Sequence, residues 1–262
     1  MLKTRGQYIW INGSLLLKEN FKWELQPLAA YEVLRIKGNI PLFFHEHIER
    51  LKTTIEKSGI SKHIDYQLYY QAIEQLCSMN GFNEGNVEII ETQQISLVRF
   101  IPHRYPTPHD YEKGVKVGYF YAERSNPSAK LKNNRLRRLV DRYLKRKNIY
   151  EALLVTSSGY VTEGSRSNVF FIDSDKVITA PESMVLKGIT RQIILDLCRK
   201  NGIHVEERPI LKSEISSFRS AFISGTSPGV LPICSLNRKL FEVNNPVIET
   251  IRNLFFDRAG LH

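Results

Sequence analysis

The chain has 262 residues, of which 42% are hydrophobic and 24% are charged, so its composition is that of a globular protein with a buried core. Its three cysteines lie far apart in apolar surroundings, which favours reduced, packed thiols over a disulfide framework or a zinc site. No apolar run is long enough to cross a bilayer, and the first residues, MLKTRGQYIWING, are polar and aromatic. The sequence therefore predicts neither a membrane span nor a secretory leader, and it favours a cytoplasmic protein.

The formal net charge of +10 is concentrated in one stretch, KLKNNRLRRLVDRYLKRK, residues 130–147. Apolar side chains recur there at helical spacing, namely Leu136, Leu139, Val140, Tyr143 and Leu144. The pattern predicts an amphipathic helix that buries this stripe and leaves most of its cations in water. No aromatic side chains alternate with the cations on the wet side, and no nucleic-acid-binding module is recognisable, so we expect no nucleic acid partner.

Predicted strands and helices alternate in the first part of the chain. The predicted strands are YIWING, AYEVLRIK (30–37), VEIIE and ISLVRFI, with a hairpin turn at Gly38-Asn39. The predicted helices run from about His45 to Lys57 and from about Tyr66 to Met79, and Asn80-Gly81 ends the second. The segment HRYPTPHDYEKG (103–114) contains two prolines and few apolar residues, which predicts a domain boundary. We therefore expect a small N-terminal α/β domain, residues 1–106, and a larger C-terminal domain, residues 107–262.

The second part of the chain contains mainly short β-rich runs: VKVGYFY, ALLVT, NVFFI, KVITA and AFISG. The run TRQIILDLCRKNG predicts a helix that ends at Gly202. Strands outnumber helices in both parts, and no internal repeat is visible. The pattern is typical of a mixed α/β (α+β) protein.

Two glycine-containing stretches of the second part favour a phosphate. LKGITRQ places Ile189 and Thr190 at a predicted helix start, and FISGTSPG places Gly225 and Thr226 at the end of a predicted strand. Helix starts and glycine-rich turns direct backbone N–H groups and hydroxyls at one point, which is how proteins hold a phosphate. Each pattern alone is more often a helix cap, so it is the pair that indicates a phosphate-bearing ligand.

Two further stretches supply a lysine and a carboxylate. SAKLKNN contains Lys130, and GYVTEGSRSNVFF places Glu163 on a turn before an apolar strand, where an acid is also an ordinary turn residue. A lysine, a carboxylate and two phosphate-binding turns are the groups that pyridoxal 5'-phosphate requires. The lysine forms a Schiff base with the aldehyde, and the acid keeps the ring nitrogen protonated. Spacing alone does not select this interpretation over a plain turn.

The chain resembles the class IV aminotransferases, the pyridoxal phosphate enzymes of fold type IV that include branched-chain aminotransferase, D-amino acid aminotransferase and aminodeoxychorismate lyase. The resemblance runs from YIWING to about Pro232. AYEVLRIKGNIPLFFHEHIERL (30–51) is similar to the signature of the family's first domain, and YEALLVTSSGYVTEGSRSNVFFI with LKGITRQ is similar to its most specific stretch. The resemblance implies two α/β domains with the cofactor in the cleft between them, usually in an obligate homodimer.

The resemblance also implies roles for individual residues. It makes Lys130 the Schiff-base lysine and proton carrier, at the family's spacing before the YEA motif at Tyr150, whereas Lys132 fits less well. Glu163 becomes the partner of the pyridine nitrogen, and Arg50 becomes the phosphate-binding arginine, because a guanidinium grips phosphate oxygens in pairs. The other matches are Ile189, Thr190 and Thr226 at the phosphate, Ser167 near the ring, and Tyr31 in the substrate pocket. The alternatives are an exposed helix arginine for Arg50 and a core tyrosine for Tyr31.

Departures from the family pattern lie on the substrate side. Gln93-Gln94 stands in place of the R-G turn that usually follows the strand corresponding to NVEIIET, so the usual clamp on the substrate carboxylate is predicted to be absent. ELQPLAA replaces an FGD-type turn before the first signature, and Arg135 stands five residues past Lys130, where branched-chain enzymes often have tyrosine. Arg135 would bind a substrate carboxylate or assist the lysine if it points inward, although a helix arginine more often points to water.

The sequence therefore predicts an enzyme, a pyridoxal phosphate-dependent aminotransferase that acts on an amino acid and a 2-keto acid of the branched-chain or D-amino acid type. Two alternatives stay open: an aminodeoxychorismate lyase that releases pyruvate, and a homologue that binds the cofactor without turnover. The predicted partners are these small molecules and a second copy of the chain, with no metal and no membrane.

Overall fold

The structure is a computed structural model that describes residues 4–22, 28–124, 129–132 and 134–261. The chain divides into two compact units. Unit 1 consists of the residues up to Arg104 together with Ala129–Lys132, and unit 2 consists of Tyr105–Ser128 and Asn133–His262. The predicted domain boundary after residue 106 stays a prediction. The division in the structure falls after Arg104, and it assigns the short segment around Lys130 to unit 1.

In the described part of unit 1, six strands form one antiparallel sheet in the order β2-β1-β6-β5-β3-β4. The strands are β1 (Tyr8–Ile11), β2 (Ser14–Leu17), β3 (Ala30–Lys37), β4 (Ile40–Pro41), β5 (Glu84–Glu91) and β6 (Ser96–Ile101). Gly38 and Asn39 both have positive φ in the two-residue turn between β3 and β4, as the hairpin prediction requires. The four predicted strands of this part are confirmed.

The described residues of unit 1 also form two α-helices, α1 (Phe44–Ser58) and α2 (Tyr66–Asn80). α1 packs against β3, and α2 packs against β1 and β6. Asp65 caps α2 by accepting hydrogen bonds from two N–H groups of the first turn, and Gly81 ends it in the left-handed conformation. The predicted helices are confirmed, and the inner face of α1 places His47 and Arg50 against the sheet.

In the described part of unit 2, ten strands form a mixed sheet in the order β12-β11-β10-β14-β15-β7-β8-β9-β13, with β16 paired to β15. The strands are β7 (Val115–Tyr121), β8 (Glu151–Val155), β9 (Tyr160–Gly164), β10 (Asn168–Asp173), β11 (Lys176–Thr179), β12 (Val205–Glu207), β13 (Ile210–Leu211), β14 (Ser220–Gly225), β15 (Gly229–Leu236) and β16 (Lys239–Leu240). β8, β10 and β15 are buried along most of their length, which is typical of central strands covered on both faces.

The described part of unit 2 contains four α-helices, α3 (Pro108–Lys113), α4 (Asn134–Lys147), α5 (Ile189–Lys200) and α6 (Pro246–Ala259). α5 packs against β14, and α6 packs against β15. α5 is predicted from the sequence, but α3 and α6 are not, although both begin with proline after a capping residue, Thr107 in α3 and Asn245 in α6. A capping residue followed by proline indicates a helix start, and a search based only on hydrophobic periodicity does not detect it.

The basic stretch differs from its prediction in two respects. The helix begins at Asn134, because the preceding residues Ala129–Lys132 are held against unit 1, where Leu131 forms a β-bridge with Ala30. Leu139 of the predicted buried stripe is 41% exposed, whereas Val140 is buried. The buried face of α4 is therefore narrower than the spacing of its apolar residues suggests.

The cysteines Cys77, Cys198 and Cys234 are free, as predicted, and the first two are buried. Burial raises the pKa of the Cys77 and Cys198 thiols to about 11, so neither is an ionised nucleophile at neutral pH. Among the described residues, no helix is both long enough and apolar enough to cross a bilayer.

Candidate active site

Glu32 is the centre of a charged cluster inside unit 1. The alternation of β3 turns Ala30, Glu32 and Leu34 towards the buried side of the strand, and Glu32 is fully buried. His47 and Arg50 lie three residues apart on α1, on one face of the helix. The Glu32 carboxylate accepts hydrogen bonds from His47 Nδ1, Arg50 Nε and Arg50 Nη2, each at 2.7 Å. Two elements that pack together therefore place three polar side chains at one buried point.

Lys130 completes this group, which we call the Glu32 cluster: Glu32, His47, Arg50 and Lys130. The Lys130 Nζ lies 3.2 Å from Glu32 Oε2. Burial by itself raises the pKa of Glu32, but the charges of Arg50 and Lys130 and the hydrogen bonds outweigh it, so the pKa lies well below its ordinary value. Burial lowers the pKa of His47 more than the Glu32 carboxylate raises it, so the imidazole is neutral at neutral pH. The cluster therefore holds one carboxylate between two cations.

The backbone as well as the side chain holds Lys130 in place. Tyr31 N donates a hydrogen bond to Lys130 O at 3.1 Å, and Lys130 N donates to Thr54 Oγ1 at 3.4 Å. The Lys130 Nζ lies 5.3 Å from the centre of the Tyr31 ring, within the range of a cation–π interaction. Tyr31, which the sequence places in a substrate pocket, is therefore a direct neighbour of the lysine amine.

Lys132 makes a different set of contacts from Lys130. Its Nζ lies 2.5 Å from Glu88 Oε1 on β5, and Glu88 is also paired with Arg99 on β6. The two lysines thus pair with different buried carboxylates, Glu32 and Glu88, although both amines approach the ring of Tyr31. Only Lys130 shares its carboxylate with Arg50, the residue predicted to bind phosphate.

Glu163 is the centre of a second polar group, inside unit 2. It lies in β9, next to the last residue of the strand, and not in the predicted turn, which begins after it because β9 stays paired with β8 up to Gly164; it is 3% exposed. Its Oε1 is 2.7 Å from Arg124 Nε, and its Oε2 accepts a hydrogen bond from the N–H of Leu186 at 3.1 Å. Burial raises the pKa of Glu163, while Arg124 and the Leu186 N–H oppose that rise. The result is a buried carboxylate with a guanidinium at one oxygen and a backbone amide at the other.

Replacing Arg124 by methionine is expected to raise the pKa of Glu163 further. The change removes the largest charge that stabilises the ionised form of this buried carboxylate. A ¹³C NMR titration of glutamate carboxyls measures the shift, with the Glu163 signal assigned from an E163Q spectrum. Arg199→Met is the control, since Arg199 pairs with Asp196 on an exposed face of α5. A Glu163 titration that is the same in R124M and wild type would contradict the assignment of Arg124.

Side chains on both sides of the turn after Glu163 contact the segment that precedes α5. Asn168 Nδ2 donates to Leu186 O at 3.0 Å, so Glu163 and Asn168 bind the N–H and the carbonyl of the same residue. Gly188, the N-cap of α5, lies so close to Asn168 that a Cβ there would be 2.1 Å from the Oδ1. Because the N-cap has no side chain, the first-turn N–H groups at Ile189 and Thr190 form the type of helix start that binds anions.

The second predicted phosphate turn lies beside the same asparagine. β10 and β14 pair so that Asn168 is opposite Ser224, and Gly225 and Thr226 follow directly. A Cβ on Gly225 would be 3.4 Å from the carbonyl oxygen of Arg166, in the turn after Glu163. Asn168 therefore contacts the segment before α5 and also pairs with the end of β14, so unit 2 places Glu163 and both predicted phosphate turns around one short stretch of chain.

Replacing Gly188 by alanine is expected to destabilise the protein by about 1–3 kcal/mol, because the new Cβ overlaps the Asn168 amide and forces the α5 start to shift. The melting temperature and the midpoint of urea unfolding measure the effect. Gly225→Ala is the matched control: its Cβ would meet nothing nearer than 3.4 Å, which is ordinary van der Waals contact. Equal stability of the two variants would contradict the close contact between Gly188 and Asn168.

Ser167 and Arg135 make contacts, or have an exposure, that their predicted roles in the site did not suggest. Ser167 Oγ donates a hydrogen bond to Glu151 at 3.0 Å, and Arg135 is exposed on the first turn of α4. The Gln93 amide exchanges hydrogen bonds with the backbone of Ser61, which holds the turn that replaces the family's R-G turn. The roles assigned to Ser167 and Arg135 stay predictions. Residues 24–27 of ELQPLAA, and Ser128 and Asn133 of SAKLKNN, lie outside the described residues.

Five residues in and around these two groups are not predicted from the sequence: Glu32, His47, Arg124, Glu151 and Asn168. Glu32 has the clearest signal, an acid at a position where the alternation of β3 predicts burial, and His47 follows from the helical spacing to Arg50. Glu151 and Asn168 stand inside motifs that the resemblance uses but to which it gives no role. Arg124 follows β7 in a stretch without a motif, so no local signal reveals it.

Comparison with known sequences identifies the family. The model of the family "Amino-transferase class IV" matches residues 29–236. A probable branched-chain-amino-acid aminotransferase of Thermotoga maritima is 30% identical over 240 residues, which cover 87% of this chain and 85% of that protein. A D-alanine aminotransferase of Bacillus licheniformis is 26% identical over 233 residues, 80% of this chain and 79% of that protein. The chain belongs to the class IV aminotransferase family.

Solved structures agree with this assignment at the level of the fold. The branched-chain amino acid aminotransferase of Escherichia coli has a TM-score of 0.85 at 21% identity, over 97% of this chain and 94% of that chain. The branched-chain aminotransferase of Thermobaculum terrenum in its PLP form has a TM-score of 0.81 at 22% identity, over 99% and 96%. A putative 4-amino-4-deoxychorismate lyase of Legionella pneumophila has a TM-score of 0.80 at 22% identity, over 88% and 91%. The predicted fold class and family are confirmed, and the predicted transaminase class agrees with the names of the sequence relatives.

Proposed function

We propose that the protein is a pyridoxal 5'-phosphate-dependent aminotransferase that moves an amino group between an amino acid and a 2-keto acid of the branched-chain or D-amino acid type. The observation that carries the proposal is the lysine of the Glu32 cluster: an amine enclosed by a buried carboxylate and an aromatic ring, in a member of this family. The Thermotoga and Bacillus relatives favour these two substrate types.

The residues of unit 1 fit the reactive end of the cofactor. When bound, pyridoxal phosphate supplies an aldehyde that reacts with amines and a ring that draws electrons from the substrate Cα. Lys130 would hold the aldehyde carbon and, once released from it, would take the proton from the substrate Cα and return it on the cofactor side. Glu32 stays ionised beside it, because its pKa is held low, and so directs the Lys130 amine. Arg50, anchored by the same carboxylate, would bind the phosphate.

The residues of unit 2 fit the ring nitrogen and the phosphate. Glu163 would accept a hydrogen bond from the protonated nitrogen, and Arg124 and the Leu186 N–H favour the ionised form needed for that purpose by opposing the rise in pKa that burial causes. Ile189 and Thr190 at the start of α5, with Gly225 and Thr226 after β14, would donate N–H groups and hydroxyls to the phosphate. The observation in this unit that fits an anionic group is the start of α5, where the N-cap residue makes no side-chain hydrogen bond to the first-turn amides.

An acceptor-dependence assay tests the proposed reaction. The purified protein is loaded with pyridoxal phosphate and given a panel of D- and L-amino acids, with and without 2-oxoglutarate or pyruvate as acceptor. The expected result is repeated turnover only when the acceptor is present, with at most one equivalent of keto acid per active site formed without it. Failure of every amino donor, with an unchanged visible spectrum of the bound cofactor, would contradict turnover and favour the alternative of a silent cofactor-binding homologue.

Aminodeoxychorismate lyase is the second candidate, favoured by the fold similarity to the putative lyase of Legionella pneumophila. The same assay separates the two enzymes. Release of pyruvate from aminodeoxychorismate without any acceptor would reject transamination as the main activity. The homodimer and the cytoplasmic location remain proposals that rest on the family resemblance and on composition. Light scattering at micromolar concentration tests the first, and fractionation of the producing cells tests the second.

A further inference from the structure

Glu151, in unit 2, has no part in the reaction proposed above, yet its carboxylate accepts five hydrogen bonds. It is the first residue of β8 and is 3% exposed. Oε1 accepts from Ala152 N at 2.7 Å, Ser165 N at 3.2 Å and Ser165 Oγ at 2.6 Å. Oε2 accepts from Arg166 N at 3.1 Å and Ser167 Oγ at 3.0 Å. All but the first of these bonds come from the turn Ser165–Ser167, between β9 and β10.

The turn is built around this carboxylate. Gly164 N donates to Ser167 O at 2.8 Å and closes the turn. A Cβ at position 164 would lie 2.0 Å from Ser167 Oγ and 3.1 Å from Glu151 Cγ, so only glycine leaves room for the carboxylate to approach. A buried carboxylate is costly unless hydrogen bonds satisfy it, and here backbone N–H groups and hydroxyls of the turn do so. The shape of the turn and the placement of Glu151 therefore depend on each other.

The two ends of the turn are Glu163 and Asn168, the residues that bind the N–H and the carbonyl of Leu186 ahead of α5. We propose that Glu151 is a positioning residue of the cofactor site. By binding Ser165, Arg166 and Ser167, it fixes the orientation of the side chains of Glu163 and Asn168. It thereby fixes the binding position of the pyridine nitrogen and the position of the start of α5. That Glu163 binds the pyridine nitrogen rests on the proposed function, whereas the effect of Glu151 on the geometry of the turn does not.

The variant that tests the proposal is Glu151→Gln. The amide keeps the size of the side chain but has one acceptor oxygen, so it cannot satisfy both the Ser165 and the Arg166 sides of the turn. Glu91→Gln is the matched control, because Glu91 in unit 1 is equally buried and accepts hydrogen bonds from the Tyr69 and Ser96 hydroxyls. Two quantities are measured on the full chain: amide hydrogen exchange of residues 164–168 in the protein free of cofactor, and the Kd for pyridoxal phosphate from a visible-absorbance titration.

We expect E151Q to speed exchange in the turn by about tenfold and to raise the Kd by about 10–100-fold, the usual effect of losing a group that orients a ligand-binding side chain. E91Q should change neither by more than about twofold, whatever it does to global stability.

The proposal would be overturned if the amides of the turn exchanged hydrogen at the same rate in E151Q as in the wild type. It would also be overturned if they exchanged faster but the Kd for pyridoxal phosphate did not change. If E151Q does not fold, Ser165→Ala removes the 2.6 Å hydroxyl donor and leaves the carboxylate, and the same amides should exchange faster. A wild-type protein that takes up no pyridoxal phosphate contradicts the proposed function instead, and in that case the hydrogen exchange of the cofactor-free turn still decides whether Glu151 positions that turn.

Discussion

Lys130→Ala is expected to lower the rate of amino transfer by about 10⁴-fold and to abolish the visible absorption that the protein acquires with pyridoxal phosphate. The reason is that one amine serves both as the covalent anchor and as the proton carrier, and loss of general base catalysis alone costs about 10²–10⁴-fold. Steady-state kinetics with the best amino donor and an absorption spectrum of the loaded protein measure the two effects.

The control for this prediction is Lys132→Ala. Lys132 is two residues away and also near Tyr31, but it pairs with Glu88 and not with Glu32. We expect K132A to keep the visible absorption of the loaded protein. If K132A loses that absorption and K130A keeps it, the two lysines have been assigned the wrong way round.

Glu32→Gln is expected to destabilise the protein by about 3–5 kcal/mol, the usual cost of removing one partner from a buried ion pair. The substitution leaves Arg50 and Lys130, whose side chains are each only 11% exposed, without their shared carboxylate. A loss of this size corresponds to a fall in melting temperature of roughly 6–20 °C for a chain of this length. Urea unfolding of cofactor-free protein at neutral pH measures it directly.

The same variant has a predicted dependence on pH. The pKa of Glu32 is lowered in the folded protein, so its ionised form stabilises the fold above the ordinary value of 4.5, and that stabilisation is lost as the pH falls towards the folded pKa. The difference in unfolding free energy between wild type and E32Q should therefore be full at pH 7 and shrink below about pH 4.5. A difference that grows as the pH falls would contradict the lowered pKa.

Glu49→Gln is the matched control on the same helix. Glu49 pairs with Lys52 on the exposed face of α1, where an ion pair contributes at most about 1 kcal/mol. If E49Q and E32Q destabilise the protein equally, the Glu32 cluster is not the electrostatic centre of unit 1.

Local patterns in the sequence were sufficient for much of the fold. The alternation AYEVLRIK predicts β3, the periodicity from His45 to Lys57 predicts α1, and the glycine at 81 predicts where α2 ends. Predictions from local patterns fail where pairing with a distant part of the chain overrides a local preference. Residues 130–132 share the charge and spacing of the basic helix, yet Leu131 pairs with Ala30, and α4 begins only at Asn134.

Residues of the candidate site could be predicted from the sequence only where they belong to a recognisable motif. Glu163, Ile189 and Thr226 stand in short motifs and are found in this way. Arg124 reaches Glu163 because β7 and β9 both pair with β8, and no local feature of the sequence specifies that arrangement. Glu32 and Lys130 are 98 positions apart, so only the tertiary fold reveals that they form an ion pair.

The most direct test of the account is to locate the cofactor on the chain. The protein is loaded with pyridoxal phosphate, reduced with borohydride to make the link to its lysine permanent, digested, and sequenced by tandem mass spectrometry. The expected result is that the added mass lies on Lys130. Added mass on Lys132, on another lysine, or on none would contradict it.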